Sequence, residues 1–264
     1  MMRSRSLCTV AGVLAAFVSP VAAQPGATAG EWRTYAADTY ASKYSSLDQI
    51  TADNFADLEV AWQWETVDTH LVYEGTHGTS LVPAQTLFDL LEAEEPDRWV
   101  TPPTIRRLVA TPIMANGVLY ISTPLYQAAA IDASTGQTLW VHDPRMYEAG
   151  TPAPTPWAHR GVSYWENGGD ARIVWGTGDG HLVAVDAMTG LPAADFGDNG
   201  KVDLADDLPR VIRGRRDNLN LLPLSSLSAP LVVGDTIIIL SLIHISEPTR
   251  PLYISYAVFC LKKK

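Results

Sequence analysis

Cysteine is almost missing from this chain of 264 residues, with Cys8 close to one end and Cys260 close to the other. The long stretch between them has neither a disulfide framework nor a thiolate metal site available, so it must hold together by core packing. Lysine is scarce too: only Lys43 and Lys201 precede the final residues, and the formal net charge is -10. An acidic surface repels phosphate backbones, which argues against a nucleic-acid partner. No uninterrupted apolar run reaches the ~20 residues that a membrane-spanning helix needs. What is abundant is hydrophobic side chain, 47% of the residues, together with glycine, proline and tryptophan. That composition belongs to a globular, turn-rich chain.

Arg3 and Arg5 precede an apolar run from Leu7 to Val18, followed by Pro20 and the small residues Val21-Ala22-Ala23. Residues 1–23 are therefore expected to be a secretory signal peptide, cleaved near Ala23-Gln24, and the chain to be exported to the periplasm.

The stretch Ala130-Ile-Asp-Ala-Ser-Thr-Gly-Gln-Thr-Leu-Trp140 organises the rest. Ala130 and Ile131 suit a buried strand, Asp132 can accept hydrogen bonds from the amides of the following turn, and Gly136 supplies a positive φ. Leu139 and Trp140 begin the return strand, and a large indole there can lie across the neighbouring sheet and close its edge. The pattern returns as Ala184-Val-Asp-Ala-Met-Thr-Gly190, so Asp132 and Asp186 stand 54 residues apart (186 − 132). Blades of four-stranded propellers run about 40–50 residues, and this spacing fits one blade plus a loop insertion. In the second copy Ala194 replaces Trp140, with Phe196 as the substitute aromatic.

In chain order, residues 24–64 form an N-terminal lead-in punctuated by aromatics from Trp32 to Trp62. A helix is expected over Ile50 to Leu58, capped by Thr51, and a short strand over Ala61-Trp62-Gln63-Trp64. Residues 65–107 show no strand alternation. They read as an insertion carrying one amphipathic helix after Pro83, with Leu87, Leu90 and Leu91 on its apolar face, and as surface decoration. Propeller strands are expected from 108 to 240. Pro112 to Ile121 is a hairpin around Asn116-Gly117. Gly161 to Trp165, Arg172 to Gly176 and His181 to Asp186 make a second blade with an Asp179-Gly180 turn, and Pro230 to Ile239 starts a third. Residues 241–264 have no blade pattern, end in Lys262-Lys263-Lys264, and are similar to translated sequencing-adapter read-through. They are expected to be a non-native tail on a truncated product.

With those landmarks in place, the chain resembles the quinoprotein dehydrogenases that use pyrroloquinoline quinone (PQQ) and fold as eight-bladed propellers. The resemblance rests on the Trp32 to Trp62 lead-in, the hairpin from Ala110 to Tyr120, the closing motif from Ala130 to Trp140, and His159-Arg-Gly-Val-Ser-Tyr-Trp165. It implies an all-β fold, here a partial propeller of two to three blades, and an oxidoreductase acting on the CH-OH group of an alcohol or a sugar such as glucose. It assigns the arginine that binds cofactor carboxylates to Arg160, where a guanidinium fork meets a carboxylate with two parallel hydrogen bonds. It places a cofactor-bonding hydroxyl at Ser228. His159 reads as a packing neighbour and Trp157 as a shield for one face of the cofactor ring.

The chain also departs from the family pattern. Val109 occupies a position where many relatives carry a glutamate, and Ser241-Leu242 replaces the expected Gly-Ser turn. The resemblance puts the Ca²⁺ ligands and the catalytic aspartate of the intact parent further along than this chain extends, so no catalytic or metal residue is named. The fragment is expected to be inactive and prone to aggregate, while the parent passes electrons to a cytochrome or a membrane quinone. The alternatives are a non-catalytic propeller that scaffolds assembly in the cell envelope and a lectin-like propeller.

Overall fold

The computed structural model describes residue 27 and residues 30–38, 40–75, 78–105, 108–152, 157–204, 226–242 and 256–262. The expected signal peptide and its cleavage site lie outside the described residues. Strands β1 (His70–Gly75) and β2 (Gly78–Pro83) pair antiparallel and lead into helix α1 (Ala84–Glu94). A four-stranded antiparallel meander follows: β3 (Ile113–Ala115), β4 (Val118–Ser122), β5 (Ala128–Asp132) and β6 (Thr138–His142). A second repeats it with β7 (Ser163–Asn167), β8 (Asp170–Gly176), β9 (His181–Asp186) and β10 (Lys201–Asp203). The third sheet contains β11 (Leu231–Val233), β12 (Thr236–Leu242) and β13 (Tyr256–Lys262).

The hairpins form where the sequence places them. Asn116 and Gly117 take φ of 54° and 76°, the left-handed pair that matches strand twist. The sheets stack face to face. Ile113, Tyr120 and Ala130 of the first meet Ile173, Trp175 and Val183 of the second in one apolar layer, with Val162 from the lead-in to the second. Val174, Leu182 and Ala184 on the far face of the second sheet meet Ile239 of the third, with Phe196 against them in the place sequence gave to a substitute aromatic. Alternate residues of β8 and β9 face opposite layers, so both strands are buried on both sides, as the blades of a propeller require.

Each repeat is closed by an indole. Asp132 Oδ1 accepts from the amides of Ser134 and Thr135, both at 2.9 Å, and Asp186 Oδ1 does the same for Met188 at 3.1 Å and Thr189 at 2.8 Å. The turns they hold place Gly136 and Gly190 at φ of 74° and 71°. Trp62 lies on Gly136 and donates from Nε1 to Ala133 O at 3.1 Å; Trp140 lies on Gly190 and donates to Ala187 O at 3.0 Å. Trp140 of the first sheet thus covers the turn of the second, as its position in the motif implies.

The lead-in is less regular than its sequence promises. Residues 61–64 form no strand; Trp62 and Trp64 are instead docking side chains, the latter donating to Thr138 Oγ1 at 3.0 Å. Of the expected helix, only a 3-10 turn forms at Phe55–Asp57, and Phe55 and Leu58 are exposed. Thr51 does not cap it: Asn54 Oδ1 accepts from the Thr51 amide at 2.7 Å and its amide group bonds Gln49 O, closing a local turn that competes with helix. Arg33 clasps the lead-in to both sheets through Glu31, Asn116 Oδ1 at 3.0 Å, Glu166 at 2.6 Å and the face of Tyr164. Because this arginine is well exposed, Arg33→Ala should cost only about 0.5–1 kcal/mol in thermal unfolding.

Residues 65–107 are not decoration. Leu87, Phe88 and Leu91 of α1 and Leu71 of β1 share one buried cluster with Trp99, Leu125, Tyr126, Met146, Tyr147 and Trp157. Leu90, expected on that face, is partly exposed. The hairpin β1–β2 escaped notice because most of its side chains are exposed and leave no alternating apolar signature. Asp68 is the buried anchor of this unit, accepting from Gln127 Nε2 at 2.7 Å and the Leu125 amide at 3.1 Å. Burial pushes its carboxyl up to about 6, with the nearby Asp143 adding to the rise. A carboxyl raised by folding is stabilising in its protonated form, so its contribution is lost as pH rises from about 4 to 6. Asp68→Asn should remove that slope, so that the mutant gains on the wild type by about 2 kcal/mol between pH 4 and pH 7 in paired thermal melts.

Strand pairing continues past residue 240. Strand β12 runs to Leu242, and Tyr256–Lys262 pairs with it in register from Thr236↔Lys262 to Leu242↔Tyr256. An apolar, β-prone run satisfies an open strand edge whatever its origin.

Candidate functional site: a cofactor-carboxylate cradle

β3, β7 and β11 are edge strands of their sheets, β7 lies against both of the others, and the segments leading into them are hydrogen-bonded to one another. These segments, 108–112, 157–162 and 226–230, therefore gather at one end with the β4–β5 and β8–β9 loops. Residues 65–107 cover the same end through Leu125, Tyr126 and Trp157.

Arg160 sits at the centre of this gathering. Its amide donates to Leu227 O at 2.8 Å, and its carbonyl accepts from the Thr111 amide at 3.1 Å, so both neighbouring lead-ins fix its backbone. The residue is exposed, and its guanidinium has no hydrogen bond or ion pair with any described residue. A surface acid paired with this arginine is thus not found among the described residues. Ser228 is exposed beside it; its carbonyl accepts from Ser226 Oγ at 3.3 Å, and the Ser226 amide donates to Thr177 O at 3.4 Å. The two residues named from sequence are brought side by side.

His159 is buried, with Nδ1 2.6 Å from Ser122 Oγ and its ring against Tyr126. Burial pulls its pKa down to about 3, so it is a neutral core imidazole at ordinary pH, in keeping with the role of packing neighbour. Trp157 differs from expectation. Its indole is 3% exposed, enclosed in the cluster built by residues 65–107, and its Nε1 donates to Thr101 O at 2.9 Å. It is therefore not available to shield a cofactor face. Val109 is partly exposed, so no carboxylate stands at that point of the rim.

Sequence reasoning missed a polar group at the same end. Thr177, Asp179 and His181 border the β8–β9 turn: Thr177 Oγ1 bonds Asp179, and Asp179 Oδ2 lies 3.0 Å from His181 Nδ1. Burial pushes the Asp179 carboxyl up, yet the hydrogen bond and charge of His181, helped by Thr177, outweigh it and hold the group below the usual range. The Asp179-Gly180 signal located the turn, but nothing in the spacing said that Thr177 and Asp179 would be buried. Among the described residues, no group of three or more His, Cys, Asp or Glu side chains could hold a metal ion. An exposed guanidinium without an acidic partner among the described residues can meet a carboxylate with two parallel hydrogen bonds.

Comparison with known proteins places the fold in a family. Residues 32–251 match the family described as "PQQ: Glucose/ethanol/alcohol dehydrogenase, beta-propeller domain", a match that runs past residue 240. The 1-butanol dehydrogenase (cytochrome c) of Thauera butanivorans is 31% identical over 193 residues, covering 72% of this chain and 22% of that protein. The quinoprotein glucose dehydrogenase of Gluconobacter oxydans is 30% identical over 190 residues, covering 67% of this chain and 20% of its own. The crystal structure of quinohemoprotein alcohol dehydrogenase from Comamonas testosteroni superposes with a TM-score of 0.50 at 25% identity, over 80% of this chain and 23% of that one. The chain spans about a fifth of the length of these relatives. A repeated strand–turn–strand unit latched by indoles, matched over residues 32–251, is thus the β-propeller of the PQQ-dependent glucose and alcohol dehydrogenases, and the chain belongs to that family.

Proposed function

We propose that these residues are the part of a PQQ-dependent dehydrogenase that receives the carboxylates of the cofactor, with Arg160 and Ser228 as its contacts. The observation that carries this reading is the state of Arg160: a fixed backbone, an exposed guanidinium, and no acidic partner among the described residues. A cation with that geometry is prepared for an anion from outside, and a planar fork recognises a carboxylate at two atoms. Bound there, the quinone supplies the two-electron oxidant. This chain's own residues hold and orient it, Arg160 by charge and Ser228 by its hydroxyl.

The complete protein, on this reading, oxidises an alcohol or a sugar such as glucose and passes the electrons to a cytochrome or a membrane quinone. It works in the periplasm. Ca²⁺ and the aspartate that takes the substrate proton belong to residues beyond those seen here. No helix among the described residues is long and apolar enough to cross a membrane.

The test is to express the full-length gene, add Ca²⁺ and PQQ, and follow dye reduction with a panel of primary alcohols and aldoses. Turnover that depends on PQQ is the expected result. Dye reduction no faster than the cofactor-free control, together with unquenched tryptophan fluorescence on adding PQQ, would overturn the enzyme reading and leave a scaffold.

A further inference from the structure

We infer that Trp157 is a positioning residue for Arg160, and that the hairpin–helix unit of residues 65–107 exists at this end to seat it. This rests on the cofactor role proposed for Arg160. Three of the four residues from Trp157 to Arg160 are bolted down, each by a different partner. His159 is held by Ser122 of β4, and the Arg160 backbone by Thr111 and Leu227. Trp157 has its hydrogen bond from the insertion: its Nε1 donates to Thr101 O at 2.9 Å, and its ring is buried in the cluster that Leu71, Phe88, Leu91 and Trp99 share with Leu125, Tyr126, Met146 and Tyr147.

Thr101 is itself fixed in both directions by Thr151, whose Oγ1 accepts from the Thr101 amide at 2.9 Å and donates to its carbonyl at 2.9 Å. Trp99 Nε1 bonds Tyr147 O at 2.8 Å, and Arg98 bonds Glu148 O at 2.6 Å, so the end of the insertion is stitched to the chain on the N-terminal side of Trp157.

The backbone shows why a seat is needed. Trp157 takes φ of 56°, a left-handed conformation that costs a bulky residue about 1–2 kcal/mol and persists only when its surroundings hold it. The indole in its socket is the hold. With the socket loosened, the chain can relax to an ordinary φ, and the pull passes through Ala158 to His159 and Arg160, tilting the guanidinium on a backbone held only at its N and O. A fork that must meet a carboxylate at two atoms tolerates little such displacement.

The experiment uses the full-length protein. PQQ affinity, thermal midpoint and kcat at saturating PQQ are measured for wild type, Trp157→Phe, Arg160→Ala and the double variant. Phe keeps the ring and removes the donor. Trp157→Phe is expected to weaken PQQ binding about tenfold, roughly one net hydrogen bond, with kcat at saturation unchanged. In the Arg160→Ala background the same change should have no further effect on affinity, because Trp157 acts through the guanidinium. Equal losses with and without Arg160, or a fall in thermal midpoint with affinity unaltered, would make Trp157 merely structural and overturn the inference. If Arg160→Ala leaves affinity untouched, the cofactor role of Arg160 fails and the inference falls with it. Should Trp157→Phe not fold, Thr151→Val removes the hydroxyl that holds Thr101 and is expected to shift PQQ affinity in the same direction; no shift would overturn the inference.

Discussion

Arg160→Ala should lower the affinity of the full-length protein for PQQ by about 100- to 1000-fold, which corresponds to about 3–4 kcal/mol. The loss is large because truncation leaves a cofactor carboxylate in the cleft without its charge partner, and a desolvated charge costs more than the pair ever returned. Arg160→Lys separates the two contributions of the side chain. It keeps the charge but loses the planar fork, so binding should recover only part of the way toward wild type. Both are read by titrating PQQ against tryptophan fluorescence. Thermal midpoints without cofactor should stay close to wild type, because the side chain has no bond to any described residue. A wild-type affinity in Arg160→Ala would sink the proposed role.

Gly136→Ala and Gly190→Ala should each destabilise the fold by about 3 kcal/mol, through two separable costs. An L residue at these positive φ values loses about 1 kcal/mol. The added Cβ would also meet Trp62 or Trp140 at 2.6 Å, far inside contact distance, so the indole must leave its seat and give up its bond to the turn. Gly117 is the control, since it has φ of 76° but nothing within 4 Å of its would-be Cβ. Gly117→Ala should pay only the backbone cost, about 1 kcal/mol. The measurement is urea unfolding of the full-length variants, and equal losses at all three positions would show that the indoles contribute nothing.

The strands were legible because propeller blades write themselves in short-range code. Asn116-Gly117, the Asp132 to Gly136 turn and its copy at Asp186 all act within a few residues, and each appeared where expected. The insertion and the lead-in were not legible, for the opposite reason. Leu71, Leu87 and Trp99 find their partners in Leu125, Met146 and Tyr147, contacts that no local periodicity encodes. Trp62 and Trp64 read as a strand because aromatic residues favour strands, yet they serve as docking side chains on an irregular backbone. At the site, Arg160 and Ser228 were named by resemblance, and the structure shows the backbone bond from Arg160 to Leu227 that brings their segments together. Thr177, Asp179 and His181 were overlooked because only the packed loops bury Thr177 and Asp179 beside a half-buried His181.

The two indole latches also give the molecule a direction. Trp62 precedes the turn it covers, and Trp140 precedes the turn of the next sheet. During synthesis every lid is therefore made before the thing it closes upon, and each newly emerged blade meets a waiting aromatic ring from its predecessor. Growth of the wheel from its first spoke onward is written into which partner leaves the ribosome first.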